Sequence, residues 1–250
     1  MTAEALERAA RAALDEVLDP ELDEPITDLG FVRSLEASAT GVVTVHLRLP
    51  TSFCAPNFAY LMASDAKDVL RALPGVAAVE VVLDDHHDSE LINRGLRADA
   101  GYRGTFGDEA EEDLEELRLT FRRKAHAAAM ERCLATLLKA DPELAEEDLA
   151  EISIADLPDA PTTRSLLKRR ADLGLTTDPS APVLVDDRGR PRPRDEVPFQ
   201  LRFARAVRIS IEGNAHFCRG LLRTRYPDSA ADQAPGAWSG AHTEREENAS

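Results

Sequence analysis

The spacing of apolar residues changes once between Val43 and Leu73, from every second residue to every third or fourth, and the change falls within residues 50–56. Val43, Val45, Leu47 and Leu49 alternate as in a half-buried strand, while Phe58, Leu61, Met62, Ala66, Val69 and Leu70 share one face of a helix that Pro74-Gly75 stops. Pro56 suits the first helical turn, where a missing N–H is harmless. The intervening Leu49-Pro50-Thr51-Ser52-Phe53-Cys54-Ala55-Pro56 is therefore a strand-to-helix turn, and it carries a cysteine. The unpaired amides and dipole of a helix N-terminus favour the anionic form of a thiol, the form that ligates metal or attacks sulfur. A small buried core residue is the plain alternative for Cys54.

The flanking segments complete one module. Leu6, Ala9, Ala10, Ala13, Leu14 and Val17 give an amphipathic helix over residues 3–18, which Asp19-Pro20 ends. Asp19-Pro20-Glu21-Leu22-Asp23 is expected to be a turn or extended segment with exposed carboxylates. Residues 26–36 form a first strand region, Thr40-Gly41 turns into the second strand, and residues 76–83, nearly continuous in valine, suggest a third strand buried on both faces. The order helix, strand, strand, helix, strand predicts a small α+β domain, followed by a mostly α-helical region.

Composition narrows the partners. A formal charge of -16 opposes general attraction to nucleic acid or to an anionic membrane. No segment nears the roughly 18 consecutive apolar residues of a membrane span, and the alanine-rich N-terminal pattern with Glu4 and Glu7 does not resemble a signal peptide. Cys54, Cys133 and Cys218 are too few and too dispersed for a disulfide framework, and no C-x-x-C pair exists. These features predict a protein of the reducing cytoplasm. Glycine clusters for phosphates or dinucleotides and serine nucleophile motifs are absent.

Beyond the module, residues 84–107 read as a polar connection and residues 108–140 as a long helix, opening with seven acidic residues among the nine of 108–116. Short helices are expected near 144–151 and 163–173. A last helix runs to about Arg225 with Phe199, Phe203, Val207, Ile211, Ala215 and Cys218 as its apolar stripe. The resulting boundaries are an α+β domain at 1–88, a helical extension with a loop-rich middle at 89–226, and a disordered tail at 227–250.

Asp19-Pro20-Glu21, Leu29-Gly30, Thr51-x-x-Cys54 and Leu73-Pro74-Gly75-Val76-x-x-Val79 occur in an order and spacing that resembles the SufT/PaaD-type iron-sulfur cluster assembly family, formerly a domain of unknown function. The resemblance covers about residues 5–85. It implies an accessory factor, not an enzyme, that assembles, carries or delivers an iron-sulfur cluster or related iron centre, bound transiently. Its partners would be a client metalloprotein and other iron-sulfur assembly factors, with no nucleic acid and no membrane. Cys54 would be the functional thiol, with Thr51, Asp19 and Glu21 beside it. Many relatives have proline directly after the cysteine, whereas here Ala55 intervenes before Pro56. The extension resembles members associated with bacterial multicomponent monooxygenases, which implies such a client. One cysteine per chain is a poor cluster site, so a homodimer sharing a cluster and a monomer delivering iron both stay open. A metal-free adaptor that docks its client through the extension is the competing reading.

Other residues carry weaker signals. Asp84-Asp85-His86-His87-Asp88 holds metal-ligand types, and strand alternation would let Asp84, His86 and Asp88 converge on one ion, against a solvated strand exit as the alternative. His46, His86 or His87 would be needed to activate Cys54 in a thiol enzyme. Glu212 and His216 are four residues apart on the last helix. Ten arginines between 188 and 225 face only Asp195, Glu196 and Glu212 in that stretch, which predicts pairing with the acidic run at Asp108 or docking onto an acidic client. Cys133 and Cys218 read as core residues.

Overall fold

A computed structural model of the chain describes residues 2–110 and 114–232. It separates into two compact units, one made of residues up to Leu114 together with those from Asn214, the other Glu115–Gly213. The α+β class expected from the sequence is what the chain adopts, with a small mixed sheet and helices followed by a mostly helical region.

In the first unit, α1 (Ala3–Leu14) begins at Thr2, whose hydroxyl accepts from the Ala5 amide at 3.2 Å, and buries Leu6, Ala10 and Leu14 at four-residue spacing. It is shorter than the predicted 3–18 because Leu18–Asp19 (β1) pairs antiparallel with Glu24–Pro25 (β2) in a two-residue ladder. The main sheet contains β3 (Val32–Ala37), β4 (Val42–Leu47) and, after α2 (Pro56–Arg71), β5 (Ala78–Leu83), in the order β3-β4-β5. The β3–β4 pair is antiparallel and β4–β5 parallel. Gly41 turns β3 into β4 at φ 84°, and a Cβ there would lie 2.5 Å from the Gly75 carbonyl oxygen, so the turn and the end of α2 can close only on glycine.

The expected double burial of the third strand is corrected. β5 is an edge strand, with Val81 and Leu83 buried while Ala78 and Glu80 face outward. The supposed polar connection also contains two helices, α3 (Ser89–Arg97) and α4 (Gly101–Phe106). Leu14, Ile26, Leu29, Phe31, Val45, Leu70 and Ile92 lie in one core, where each such side chain contributes about 1.5–3 kcal/mol of burial. Ala215 and Leu222 belong to the same core.

The second unit is built from α5 (Leu114–Ala140), α6 (Pro161–Asp172) and the first part of α7 (Val197–Arg225). Its core includes Met130, Cys133, Leu134, Leu166, Val183 and Leu201. The fully buried Arg170 donates to the carbonyls of Thr176 at 2.8 Å and Pro182 at 3.0 Å, tying the loop after α6 to its helix. Of the apolar stripe predicted for α7, Ile211 and Ala215 are buried, while Phe199 and Phe203 are exposed and Val197, Leu201 and Ala204 are buried upstream. Among the described residues, the arginines of this region pair with Glu131, Asp148, Glu151, Asp186 and Glu212. The tail expected to be disordered begins as a short 3-10 helix, Pro227–Asp232, and its residues 233–250 lie outside the described residues. No described helix is long and apolar enough to cross a membrane.

Candidate functional site

Because β4 and β5 run parallel with Leu47 opposite Leu83, the segments leaving both strands emerge side by side at the carboxyl end of the sheet. The first is the Cys54 loop and the second is the Asp84–Asp88 run. Phe53 N–H donates to Thr51 Oγ1 at 3.2 Å, and Thr51 Oγ1 lies 3.6 Å from Cys54 Sγ. Cys54 is half-buried just before α2, whose first turn begins at Pro56. Cys54 is therefore partly accessible, with one hydroxyl beside its sulfur.

The Asp84–Asp88 run braces this loop. His86 is buried, and its Nδ1 accepts from the Asp88 amide at 3.1 Å, which leaves Nε2 as donor to the Cys54 carbonyl at 2.8 Å. The His87 amide donates to the Ser52 carbonyl at 2.8 Å, and the His87 ring stacks on Phe53 with centroids 5.7 Å apart. The brace thus joins backbone to backbone at Ser52 and ring to backbone at Cys54. Asp84 accepts from Arg33 Nη1 at 3.1 Å and is 3.0 Å from His46 Nδ1.

The convergence of Asp84, His86 and Asp88 on one ion is not what the fold provides. Both His86 ring nitrogens are engaged, and Asp84 is turned to Arg33 and His46. Among the described residues, no group of three or more His, Cys, Asp and Glu is arranged to hold a metal ion. His86 reaches the carbonyl of Cys54 and not its sulfur, which is not the geometry of a general base on the thiol.

Asp19 and Glu21 come from the β1–β2 hairpin, and β1 packs against α2. The exposure expected of Asp19 is corrected: it is 7% accessible, because its Oδ1 accepts from the amides of Glu21 and Leu22, both at 2.9 Å, and is drawn into the turn. Burial pushes its carboxyl up to about 6, with Glu21 and Glu24 adding to the rise and the two amides opposing it.

Sequence reasoning missed two features of this unit. Phe53 is 79% exposed, a large apolar side chain at the mouth of the loop. Cys218, read as core, is only half-buried on α7 and packs on the same core as Cys54. Burial pushes its thiol up to about 11, with charge on Asp19, Cys54 and Glu21 adding to the rise. Cys133, by contrast, is 2% exposed in the second unit's core, as expected. Glu212 is taken by Arg132 at 3.2 Å and Arg208 at 2.7 Å.

Residues 7–81 match the family model described as an iron-sulfur cluster assembly protein. The chain is 37% identical over 100 residues to the iron-sulfur cluster carrier protein of Mycobacterium leprae, covering 38% of this chain and 25% of that one. It is 34% identical over 85 residues to an uncharacterised protein of Methanocaldococcus jannaschii, covering 34% of this chain and 87% of that one. A crystal structure of a domain of unknown function from Bacillus anthracis is 29% identical and covers 40% of this chain and 96% of that one, with a TM-score of 0.31. The chain spans about a quarter of the length of the curated carrier proteins it matches. Through residues 7–81, the stretch that contains Cys54 and its loop, the chain belongs to the iron-sulfur cluster assembly protein family.

Proposed function

We infer that the protein receives an iron-sulfur cluster or its iron as cargo and passes it to a client metalloprotein, with Cys54 as the sulfur that takes hold of it. The observation that carries this reading is the half-buried Cys54 sulfur, 3.6 Å from the Thr51 hydroxyl in a loop braced by His86. A hydroxyl beside a sulfur can donate to it, and a fixed loop keeps it accessible without a rearrangement. The printed name of the mycobacterial relatives supports carriage as the role of the shared segment.

Carriage, not turnover of a small substrate, suits a thiol whose bracing imidazole is engaged on its carbonyl and not on its sulfur. The partners are a client metalloprotein and other iron-sulfur assembly factors, met in the cytoplasm. A multicomponent monooxygenase is the client class that the extension's resemblance implies. Two chains sharing a cluster through their Cys54 residues would meet its need for further sulfur ligands.

Transfer tests the reading. Protein loaded anaerobically is mixed with an apo-acceptor of the [2Fe–2S] type in the presence of a chelator, and the acceptor's spectrum is followed. Acceptor maturation that needs Cys54 is expected; equal maturation by Cys54→Ala contradicts carriage by this thiol. A metal-free adaptor is favoured as the second reading by the exposed Phe199 and Phe203 on α7, which offer apolar contact to a partner. That reading requires client binding to survive Cys54→Ala and to fall with Phe199→Ser.

A further inference from the structure

We propose that the second unit binds a small organic acid, its carboxylate held by Arg123, His126 and Arg192 and its apolar body lying against Ala127, Met130 and Val207. The inference does not depend on the reading of Cys54.

A pocket of about 270 Å³ carries it, lined entirely by residues of Glu115–Gly213. Arg123, His126, Ala127 and Met130 recur at spacings of three, one and three, so they line it from one face of α5. Phe203 and Val207 line it from α7. A single antiparallel bridge between Val185 and Pro191 folds the intervening loop back, and Val185 and Arg192 at its two ends both line the pocket. Three buried nitrogens on these lining residues have no hydrogen-bond partner among the described residues: Arg123 Nε, His126 Nε2 and Arg192 Nε. His126 weighs most, because only 2% of it is accessible. A buried donor without an acceptor is costly and rare in native proteins, and three on one pocket point to a ligand that accepts.

The charges around the pocket say what that ligand is. Asp186 lines it but is already satisfied, its Oδ1 accepting from the Arg188 and Arg190 amides, both at 2.9 Å, and its Oδ2 from Arg190 Nε at 2.8 Å. Asp187 Oδ2 lies 3.1 Å from Arg123 Nε, an ion pair that is not aligned as a hydrogen bond. Arg192 gives its Nη1 to Glu196 at 3.3 Å, which leaves its Nε. Lys124, also on the lining, lies over the Phe121 ring at 4.7 Å. With Asp186 satisfied, three cationic side chains meet one lining carboxylate, that of Asp187, and an anion is favoured. Burial pushes the His126 imidazole down to about 4, with the charge of Arg170 adding to the fall, so the ring is uncharged near neutrality and has one N–H to donate. The two oxygens of a carboxylate have lone pairs enough for all three donors. Inorganic phosphate would meet the same donors but would leave Ala127, Met130 and Val207 without an apolar partner. The pocket lies just below the roughly 300 Å³ at which sites for drug-sized ligands begin, so the apolar body is short, a single ring or a chain of a few carbons. Binding makes and breaks no covalent bond.

Benzoate, titrated into the full chain by calorimetry, is the probe, with benzamide as its uncharged counterpart and inorganic phosphate as an anion without an apolar body. Wild type is expected to bind benzoate at one site, and benzamide and phosphate each about tenfold or more weakly. Arg192→Gln should weaken benzoate by about tenfold, the loss of one charge-assisted hydrogen bond. Ala127→Leu, at a half-buried helix position, fills the pocket and should abolish binding. Cys54→Ala should bind as wild type does. No benzoate binding in wild type overturns the proposal, as does undiminished binding by Ala127→Leu. Benzamide binding as tightly as benzoate removes the carboxylate from the account, and phosphate binding more tightly than benzoate replaces the organic acid with a bare oxyanion; either result overturns the proposal. Should a variant not fold, nuclear Overhauser contacts on unsubstituted protein decide: benzoate ring protons are expected to meet the methyl groups of Ala127, Met130 and Val207, and their absence contradicts the site.

Discussion

The His86 imidazole donates to the backbone carbonyl of Cys54 at 2.8 Å, across a sequence separation of 32 residues. Parallel pairing of β4 and β5 makes that contact possible, because it brings the loop after one strand beside the loop after the other. His86→Ala is expected to cost about 1–3 kcal/mol, the usual penalty for stranding a buried hydrogen-bonding group. It should also speed alkylation of Cys54, since the loop loses its brace. Urea unfolding and timed labelling check both effects; an unchanged labelling rate would mean that the loop holds itself.

Asp19 gives a pH dependence with a definite sign. Its folded-state pKa of about 6 lies above the ordinary 3.8, so the folded state binds this proton more tightly than the unfolded chain does. The stability it contributes is fully present below about pH 4 and is lost as pH rises through 6. The neighbouring Glu21 and Glu24 are acidic and act in the same direction. Asn keeps an oxygen that can accept from the Glu21 and Leu22 amides but carries no charge. The stability of Asp19→Asn relative to wild type should therefore climb between pH 4 and pH 7, reaching about 1–3 kcal/mol. Thermal melts of both proteins across that range supply the difference, and a flat difference contradicts the assignment.

Phe53 separates loading from delivery. At 79% exposure its removal should leave stability within about 0.5 kcal/mol, as for most surface substitutions. Phe53→Ala is expected to load like wild type and to transfer more slowly to an acceptor, because an apolar contact beside the sulfur is lost. Parallel loading and transfer measurements check this; equal transfer rates remove Phe53 from the docking surface.

Glu131 anchors the second unit. It is 1% exposed and receives Arg205 Nε at 3.1 Å and Arg208 Nε. Truncation leaves two guanidinium groups without their buried carboxylate. Glu131→Ala should cost about 3 kcal/mol, at the low end for a broken buried pair because both arginines keep some access to water. Calorimetry measures it. Iron retention through Cys54 should be unaffected.

The strand-to-helix switch around Cys54 was legible because the apolar period changes there, and Pro56 occupies the first turn of α2 as expected. Thr51 beside the sulfur was what the family resemblance implied, and the turn places its hydroxyl 3.6 Å from Cys54 Sγ. The helix α3 was not legible, since Ser89–Arg97 offers few apolar residues beyond Ile92 and Leu96, and its formation depends on their burial against the sheet. The His86 brace was hidden for a different reason. Ligand-type residues in a row look alike whether they bind a cation or hydrogen-bond to a neighbouring loop, and only tertiary pairing decides. Phe199 and Phe203 show the limit of periodicity, which identifies a stripe but not what covers it.

Anaerobic reconstitution with ferrous iron and sulfide, followed by desalting, iron counting and visible absorption, tests the central claim most directly. Wild type should retain iron with sulfur-to-iron charge-transfer absorption, and Cys54→Ala should retain little of either. Equal iron retention and equal absorption in the two proteins would contradict the account.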